Sequence, residues 1–156
     1  AKNQSKSLEQ LVELTKKYYV QKKAEQLKDK LDKLSDKQEN LSNKDKENSK
    51  ENQDEINKEF DKIQEDLKDL DKENKELKKP LDIPTDKEQE KSIDEDLKKA
   101  SDELQNDKKS SAKPKQKSAA KKMKQMSQKM EQSSLSPFRG FPRETGEVVN
   151  HVWVTN

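Results

Sequence analysis

Large apolar side chains are sparse in this chain, and most of them recur at alternating steps of four and three residues. Leu, Ile, Val and Phe together make up fewer than a fifth of the residues, which is too few for a thick globular core. Steps of four and three place side chains on one stripe of an α-helix, the a and d positions of a coiled coil. The pattern therefore predicts long helices that share a thin apolar seam.

Four segments carry this spacing, and none of them contains a glycine. The first runs from residue 5 to 41, the second from 56 to 77, the third from 93 to 104 and the fourth from 119 to 130. The predicted helix-packing seam consists of Leu27, Leu31, Leu34, Leu41, Ile56, Phe60, Ile63, Leu67, Leu70, Leu77, Ile93, Leu97, Leu104, Met123, Met126 and Met130. The predicted fold class is all-α, with elongated coiled-coil helical hairpins built from about four helices.

The breaks between these segments predict the domain organisation. Residues 42–55 carry no apolar side chain until the next seam begins, so we predict a hairpin turn near 43–51 instead of one straight helix frayed in its middle. Pro80 and Pro84 end the second helix. The polar stretch 106–118 reads as a linker. Residues 1–79 then form a coiled-coil hairpin and 80–134 a second, weaker helical pair with a basic last helix.

The last 22 residues, 135–156, differ from the rest and are predicted to form a non-helical tail. They contain both glycines, both arginines and the only Trp and His of the chain. The Val-rich run EVVNHVWVTN alternates in part between apolar and polar residues, which predicts a β-strand. No partner strand is predicted in this chain. The tail therefore either adds to a sheet elsewhere or is of foreign origin.

The sequence offers no residue set for catalysis. Its only histidine is His151, it has no cysteine, and its two glycines form no phosphate-binding loop. Its many carboxylates lie on solvated helices and lack the spacing of a calcium-binding loop. We therefore predict no catalytic, cofactor-binding or metal-binding residues and expect a protein that is not an enzyme. No apolar run approaches the roughly 18 residues that a membrane span needs.

Charge is distributed in blocks, although the net charge is only +2. Residues 51–76 carry eleven acids and five lysines, and residues 82–107 carry ten acids and four lysines, so each block has a net charge of −6. Residues 108–130 carry nine lysines and no acid. These lysines form a predicted basic contact surface: Lys108, Lys109, Lys113, Lys115, Lys117, Lys121, Lys122, Lys124 and Lys129.

Two classes of partner suit this basic surface. The first is protein, namely the acidic helices 51–76 and 82–107 of the same chain or of another subunit. The second is a polyanion, either nucleic acid or an anionic membrane surface. Arginine and aromatic residues are absent from 108–130, which favours protein.

Two smaller features each permit two interpretations. The stripe of Met123, Met126 and Met130 is either an adaptable binding surface or simply seam, and its spacing favours seam. Tyr18 and Tyr19 follow a loose apolar stripe that begins at Leu8. They either anchor a partner or seal the end of the bundle, and we favour the second interpretation.

The order of several stretches resembles a known family. LVELTKKYYVQKKAEQLKDKLDKLSDKQENLS is followed by KKPLDIP, SIDEDLKKASDELQ and AKPKQKSAAKKMKQMSQKM. Over residues 5–132 this order resembles the helical C-terminal region of large membrane-anchored proteins of Bacteroidota, the domain of unknown function 4175 family. The tail after Ser134 does not match it. The resemblance implies membrane-spanning helices far upstream and a soluble body on the periplasmic side of the inner membrane, with no established activity.

The sequence and this resemblance together lead us to expect a structural or scaffolding protein–protein interaction module of a membrane-anchored envelope protein. Its partners would be other proteins, another part of the same parent chain, or a second copy. A cytoplasmic location stays open as the alternative. Two other functions compete with scaffolding: a holdase-like chaperone with helical hairpin arms, and nucleic-acid binding through residues 108–130.

Overall fold

The computed structural model describes residues 2–133, and most of them lie in four α-helices. These are α1 (Lys2–Asn43), α2 (Lys50–Lys75), α3 (Lys87–Gln105) and α4 (Lys109–Ser133). Over the described residues the chain contains no strand, and the all-α prediction is confirmed there. The strand predicted in EVVNHVWVTN, and the whole tail 135–156, lie outside the described residues.

The helices form an antiparallel four-helix bundle in which each helix contacts its two neighbours in a ring. α1 packs against α2 and α4, and α3 packs against the same two helices. Salt bridges give the direction: Lys23 pairs with Glu73, whereas Lys37, further along α1, pairs with Glu59. Up-down-up-down order with short connections is the simplest arrangement for four such helices.

The first turn lies where the apolar spacing breaks. α1 ends at Asn43 and α2 begins at Lys50, so the hairpin prediction is confirmed and the straight helix is wrong. Ser49 caps α2, because its side chain accepts a hydrogen bond from the Asn52 N–H at 3.2 Å. Asp86 caps α3 in the same way, accepting from the Gln89 N–H at 3.0 Å.

An asparagine fixes the connection between α2 and α3. The Asn74 side-chain amide donates to the Leu81 carbonyl oxygen and accepts from the Leu81 N–H, both at 2.8 Å. Asn74 lies four residues after Leu70 and three before Leu77, on the buried side of α2, and both of its polar atoms have partners. This pairing folds the proline-containing loop back onto the end of α2 and brings Leu81 into the core.

All sixteen predicted seam residues are buried. Fifteen of them belong to one continuous core together with Val20 and Ala24, and Leu104 is buried outside that cluster. That core takes side chains from all four helices, so the two hairpins share it. Phe60, Leu31, Ile56 and Ile93 are at most 1 % exposed. Fully burying a side chain of this size stabilises the fold by about 1.5–3 kcal/mol.

The prediction of a polar linker over 106–118 is wrong for most of its length, because α4 begins at Lys109. Only Asn106–Lys108 connect α3 to α4, with Asp107 in the left-handed region at φ 56°. Pro114 lies inside the helix. The helix persists there because Ala112 and Gln116, one turn apart, are both fully buried against the bundle.

The first part of α1 projects beyond the core. The core side of α1 begins at Val20, and the large apolar side chains before it are exposed by 49 % to 63 %. Tyr18 and Tyr19 belong to this exposed set, so the interpretation that they seal the bundle is wrong. Their rings contact each other edge to face, with centroids 6.0 Å apart.

Two leucines of α1 provide a matched test of the core. Leu31 is completely buried, whereas Leu14 is 53 % exposed on the same helix. We expect Leu31→Ala to lower the free energy of unfolding by about 2–5 kcal/mol, because it leaves a cavity in a thin core. Leu14→Ala should change it by less than about 0.5 kcal/mol. Urea denaturation followed by circular dichroism measures both, and equal losses would contradict this core.

Candidate interaction surfaces

The lysines of the basic surface lie on or next to α4, and five of the nine bond to other parts of the chain. Lys109 Nζ donates to the Asp45 carbonyl oxygen at 2.6 Å, and Lys113 lies 3.4 Å from the Asp45 carboxylate. The other three form ion pairs with carboxylates of α1, of α3 or of its cap: Lys122–Asp96 at 2.8 Å, Lys124–Asp32 at 2.8 Å and Lys124–Asp36 at 3.0 Å, and Lys129–Asp86 at 3.2 Å.

These partners differ from the expected ones. Acids of 82–107 take part, as expected, but among the described residues no ion pair joins α4 to the acidic block 51–76. The block belongs mainly to α2, which faces α4 across the bundle and is not its neighbour in the ring. α1, which carries no marked acidic excess, supplies Asp32 and Asp36 instead. The lysines of α4 therefore pair with acids of the helices next to it in the ring, whatever the net charge of those segments.

Charged side chains of α4 and α1 shift each other's pKa values where the two helices pack together. The hydrogen bond from Lys124 holds the pKa of Asp32 below its ordinary value of 3.8, with Ser127 as a second donor and burial opposing the shift. Hydrogen bonds to Asp32 and Asp36 raise the pKa of Lys124 in turn. One ammonium group thus pairs with two carboxylates that lie one helical turn apart on α1.

A second tie joins α4 to α3. Asp96 is buried, and its carboxylate accepts hydrogen bonds from Lys122 Nζ at 2.8 Å and from the Ser118 hydroxyl at 2.7 Å. A buried carboxylate without such partners would strongly destabilise the fold. The remaining basic residues of the surface point outward or lie half-buried: Lys108, Lys115, Lys117 and Lys121.

Four buried side-chain amides form a hydrogen-bonded network at the end of the bundle near the α1–α2 turn. Gln38 and Gln53 exchange two hydrogen bonds of 2.6 and 2.9 Å, and Asn48 and Gln116 exchange two of 2.7 and 2.9 Å. Gln116 Nε2 also donates to Gln53 Oε1 at 2.8 Å, which joins the pairs. The network connects α1, the turn, α2 and α4, and each of the four residues is at most 1 % exposed.

None of the four is among the sixteen predicted seam residues, although Gln38 lies four residues after Leu34 and three before Leu41. Gln53 and Gln116 each lie three residues before a seam position, at Ile56 and Ala119, so extending the spacing upstream would have found them. Asn48 lies on the downstream extension, since steps of four and three from Leu41 reach residues 45 and 48. It lies in the turn, and only the approach of α4 buries it.

The methionine stripe lies within the core. Met123, Met126 and Met130 are each at most 6 % exposed, as the seam interpretation predicts. Met126, Met130 and Leu67 line the floor of a shallow groove of about 350 Å³, whose rim is charged. Burial raises the pKa of Glu90 on that rim above its ordinary value.

The N-terminal part of α1 exposes several large apolar side chains to solvent. Steps of four, three and four connect Leu8, Val12, Thr15 and Tyr19, and Leu11 and Tyr18 lie beside them. We call these six residues the α1 apolar face. Its five large apolar side chains are 49 % to 63 % exposed. The Thr15 hydroxyl donates to the Leu11 carbonyl oxygen at 2.8 Å, so this polar group is satisfied within the helix.

The opposite side of the same segment rests on the bundle. Glu13 accepts a hydrogen bond of 2.7 Å from the Lys78 N–H in the α2–α3 loop. Glu13 lies about 140° round the helix from Leu8, at 3.6 residues per turn. The apolar face therefore points away from the bundle while its polar side is held to it.

Neither a metal centre nor a membrane span is found in residues 2–133. No group of three or more His, Cys, Asp or Glu side chains there could hold a metal ion, and no helix is apolar enough over a sufficient length to cross a bilayer. His151 lies outside the described residues. No family model, curated protein or solved structure matches the chain.

The amide network gives a stability prediction. Gln116→Ala should lower the free energy of unfolding by about 1–3 kcal/mol, because it removes both hydrogen bonds of the buried Asn48 side-chain amide. The control is Gln125→Ala on the exposed side of α4, for which we expect a small change. Chemical denaturation provides the measurement, and equal effects of the two substitutions would refute the network.

The altered pKa values give a pH prediction. Because the folded pKa of Asp32 is lowered, its pairing stabilises the fold above about pH 4 and is lost as pH falls through the folded pKa. Asp32→Asn should therefore destabilise at pH 7, by less than about 1 kcal/mol for so exposed a pair, and have no effect at low pH.

Glu90→Gln is the opposite case. The folded pKa of Glu90 is raised, so its charge disfavours folding at pH 7 and its protonation favours folding at low pH. This substitution should stabilise the protein at pH 7 and lose that effect as pH falls. Urea titrations at several pH values measure both variants, and a parallel pH dependence would contradict the assignment.

Proposed function

We propose that this chain is a non-enzymatic structural module that mediates protein–protein contact. The four-helix bundle is its rigid support, and the α1 apolar face is its contact surface. The observation that carries the proposal is the exposure of five large apolar side chains on one helix face in a chain that is 44 % charged. Contiguous exposed apolar surface of this kind is typical of interaction sites.

The composition of the face supports this proposal. Tyrosine is enriched among the residues that contribute most to binding, because it buries a large rigid ring and keeps a hydroxyl for the rim. Tyr18 and Tyr19 supply two such rings at the end of the face nearest the bundle. The Glu13–Lys78 hydrogen bond holds the segment at a defined angle, so less conformational freedom is lost on binding.

The setting that we propose is a membrane-anchored protein of the cell envelope. Its basis is the resemblance of residues 5–132 to the domain of unknown function 4175 family. In that setting the membrane anchor lies elsewhere in the parent protein, and the bundle works on the periplasmic side of the inner membrane.

The two competing functions receive less support from the side chains. Nucleic-acid binding through 108–130 would require lysines free to contact phosphates, but five of the nine bond within the chain. A holdase would need an adaptable apolar surface, but the methionines lie in the seam. Retention on duplex DNA at physiological salt would support the first alternative, and suppression of client aggregation the second.

Site-specific photo-crosslinking tests the proposed contact. A benzoylphenylalanine in place of Tyr18, in the full parent protein in its native cells, should give covalent adducts with protein. The matched control carries the same group in place of Lys121, an exposed residue of α4, and should give few adducts. If neither position gives adducts, or both give the same ones, the α1 apolar face is not the contact surface.

A further inference from the structure

We infer that the α1 apolar face binds a second copy of itself, as an antiparallel two-helix contact. This inference rests on the proposed function and names the partner. It starts from the limits of the face, which ends at Tyr19, one residue before the core begins at Val20. Further along α1 the same outer side is polar, with Lys22, Gln26, Asp29 and Lys33. A partner helix is therefore needed over only about three turns.

The spacing of the face assigns heptad positions. Leu8 and Thr15 occupy d positions, and Val12 and Tyr19 occupy a positions. In an antiparallel pair, a residues meet d residues of the partner helix. Leu8 then meets the Tyr19 of the second copy, and Val12 meets its Thr15. Each large ring is thus placed against a smaller aliphatic side chain, whereas a parallel pair would place Tyr19 against Tyr19.

The charged flank of the face favours the same orientation. Glu9 and Lys16 both occupy e positions, seven residues apart, and both are exposed. Antiparallel helices bring e positions together, so Glu9 of each copy meets Lys16 of the other. Glu9 also lies 3.9 Å from Lys78 of its own chain, and 66 % of its side chain stays exposed.

The other flank is apolar and pairs equally well. Leu11 and Tyr18 occupy g positions, and antiparallel helices also bring g positions together, so Leu11 of each copy meets Tyr18 of the other. A parallel pair would instead place the e position Lys16 against the g position Leu11. Only the antiparallel arrangement places opposite charges together on the e flank and apolar side chains together on the g flank.

The bundles do not obstruct this contact. The face points away from the bundle, and the antiparallel register places the second copy's Val20 opposite residue 7, beyond the first copy's bundle. The four-helix parts, which begin at Val20 of each copy, then lie toward opposite ends of the paired segment, and only the α2–α3 loop reaches back beside it, at Glu9 and Glu13. An interface of three turns is small, so the dimer should be weak and in exchange with monomer.

Sedimentation equilibrium of the full chain, from micromolar to near-millimolar concentration, tests the association. We expect a monomer–dimer equilibrium that Leu8→Ser weakens at least tenfold. Leu14→Ser is the matched control, because Leu14 is 53 % exposed on the same segment, against 63 % for Leu8, but lies at neither an a nor a d position; it should leave the dissociation constant within about twofold. A monomer over the whole range, or equal loss in both variants, would overturn the inference.

Charge reversal and a distance test the orientation. Glu9→Lys and Lys16→Glu should each weaken the dimer, and the double variant should restore it. A spin label at Lys33 should lie about 60 Å from its counterpart in the antiparallel dimer, at 1.5 Å per residue over the 39 residues between them. A distance below about 25 Å would indicate parallel helices and overturn the orientation.

Two further experiments distinguish a membrane surface and other proteins from a second copy as the partner of the α1 apolar face. Flotation with anionic phosphatidylglycerol vesicles, without a dimer, would identify a membrane surface and refute the inference. Photo-crosslinks from Tyr18 only to other proteins would refute the second copy but leave the proposed function standing. Absence of both dimer and crosslinks would remove both proposals.

Discussion

The shortage of apolar side chains is the constraint on which the rest of this bundle depends. Each helix contributes a single row of them, and no two helices form a closed core alone. All four rows meet in one core, so the order of the helices and their register are fixed together. Where the rows end, near the α1–α2 turn, Gln38, Asn48, Gln53 and Gln116 continue the interior with mutual hydrogen bonds instead of apolar contact.

The spacing of the seam made most of this fold predictable from the sequence. Steps of four and three depend only on helix geometry, so the number of helices, the first turn and the buried positions followed directly. The start of α4 could not be predicted from the spacing, because Ala112 and Gln116 become buried only when the other helices are present. The ion-pair partners could not be predicted either, because the net charge of a segment does not show which helices are neighbours. Lys124 pairs with α1 for that reason.

The α1 apolar face was likewise only partly predictable from the sequence. The exposed residues of the α1 apolar face are visible in the sequence as a loose stripe, but a stripe does not show which side of a helix its bundle occupies. The Glu13–Lys78 hydrogen bond fixes that side in the structure. One helix thus has two apolar surfaces of different orientation, one used within the chain and one turned outward.

The pairing of the first helix with the last has a consequence for synthesis. Asp32 and Lys124 are 92 residues apart in sequence, and the α1–α4 contact closes the ring. A ribosome delivers the chain from its N-terminus, so α1 and α2 emerge and meet long before α4 exists. During that interval one side of the seam faces water, and the growing chain exposes apolar surface that the finished protein conceals. The ring can close only after the lysine-rich helix has left the exit tunnel, because that helix supplies both the missing apolar row and the lysines that pair with Asp32 and Asp96.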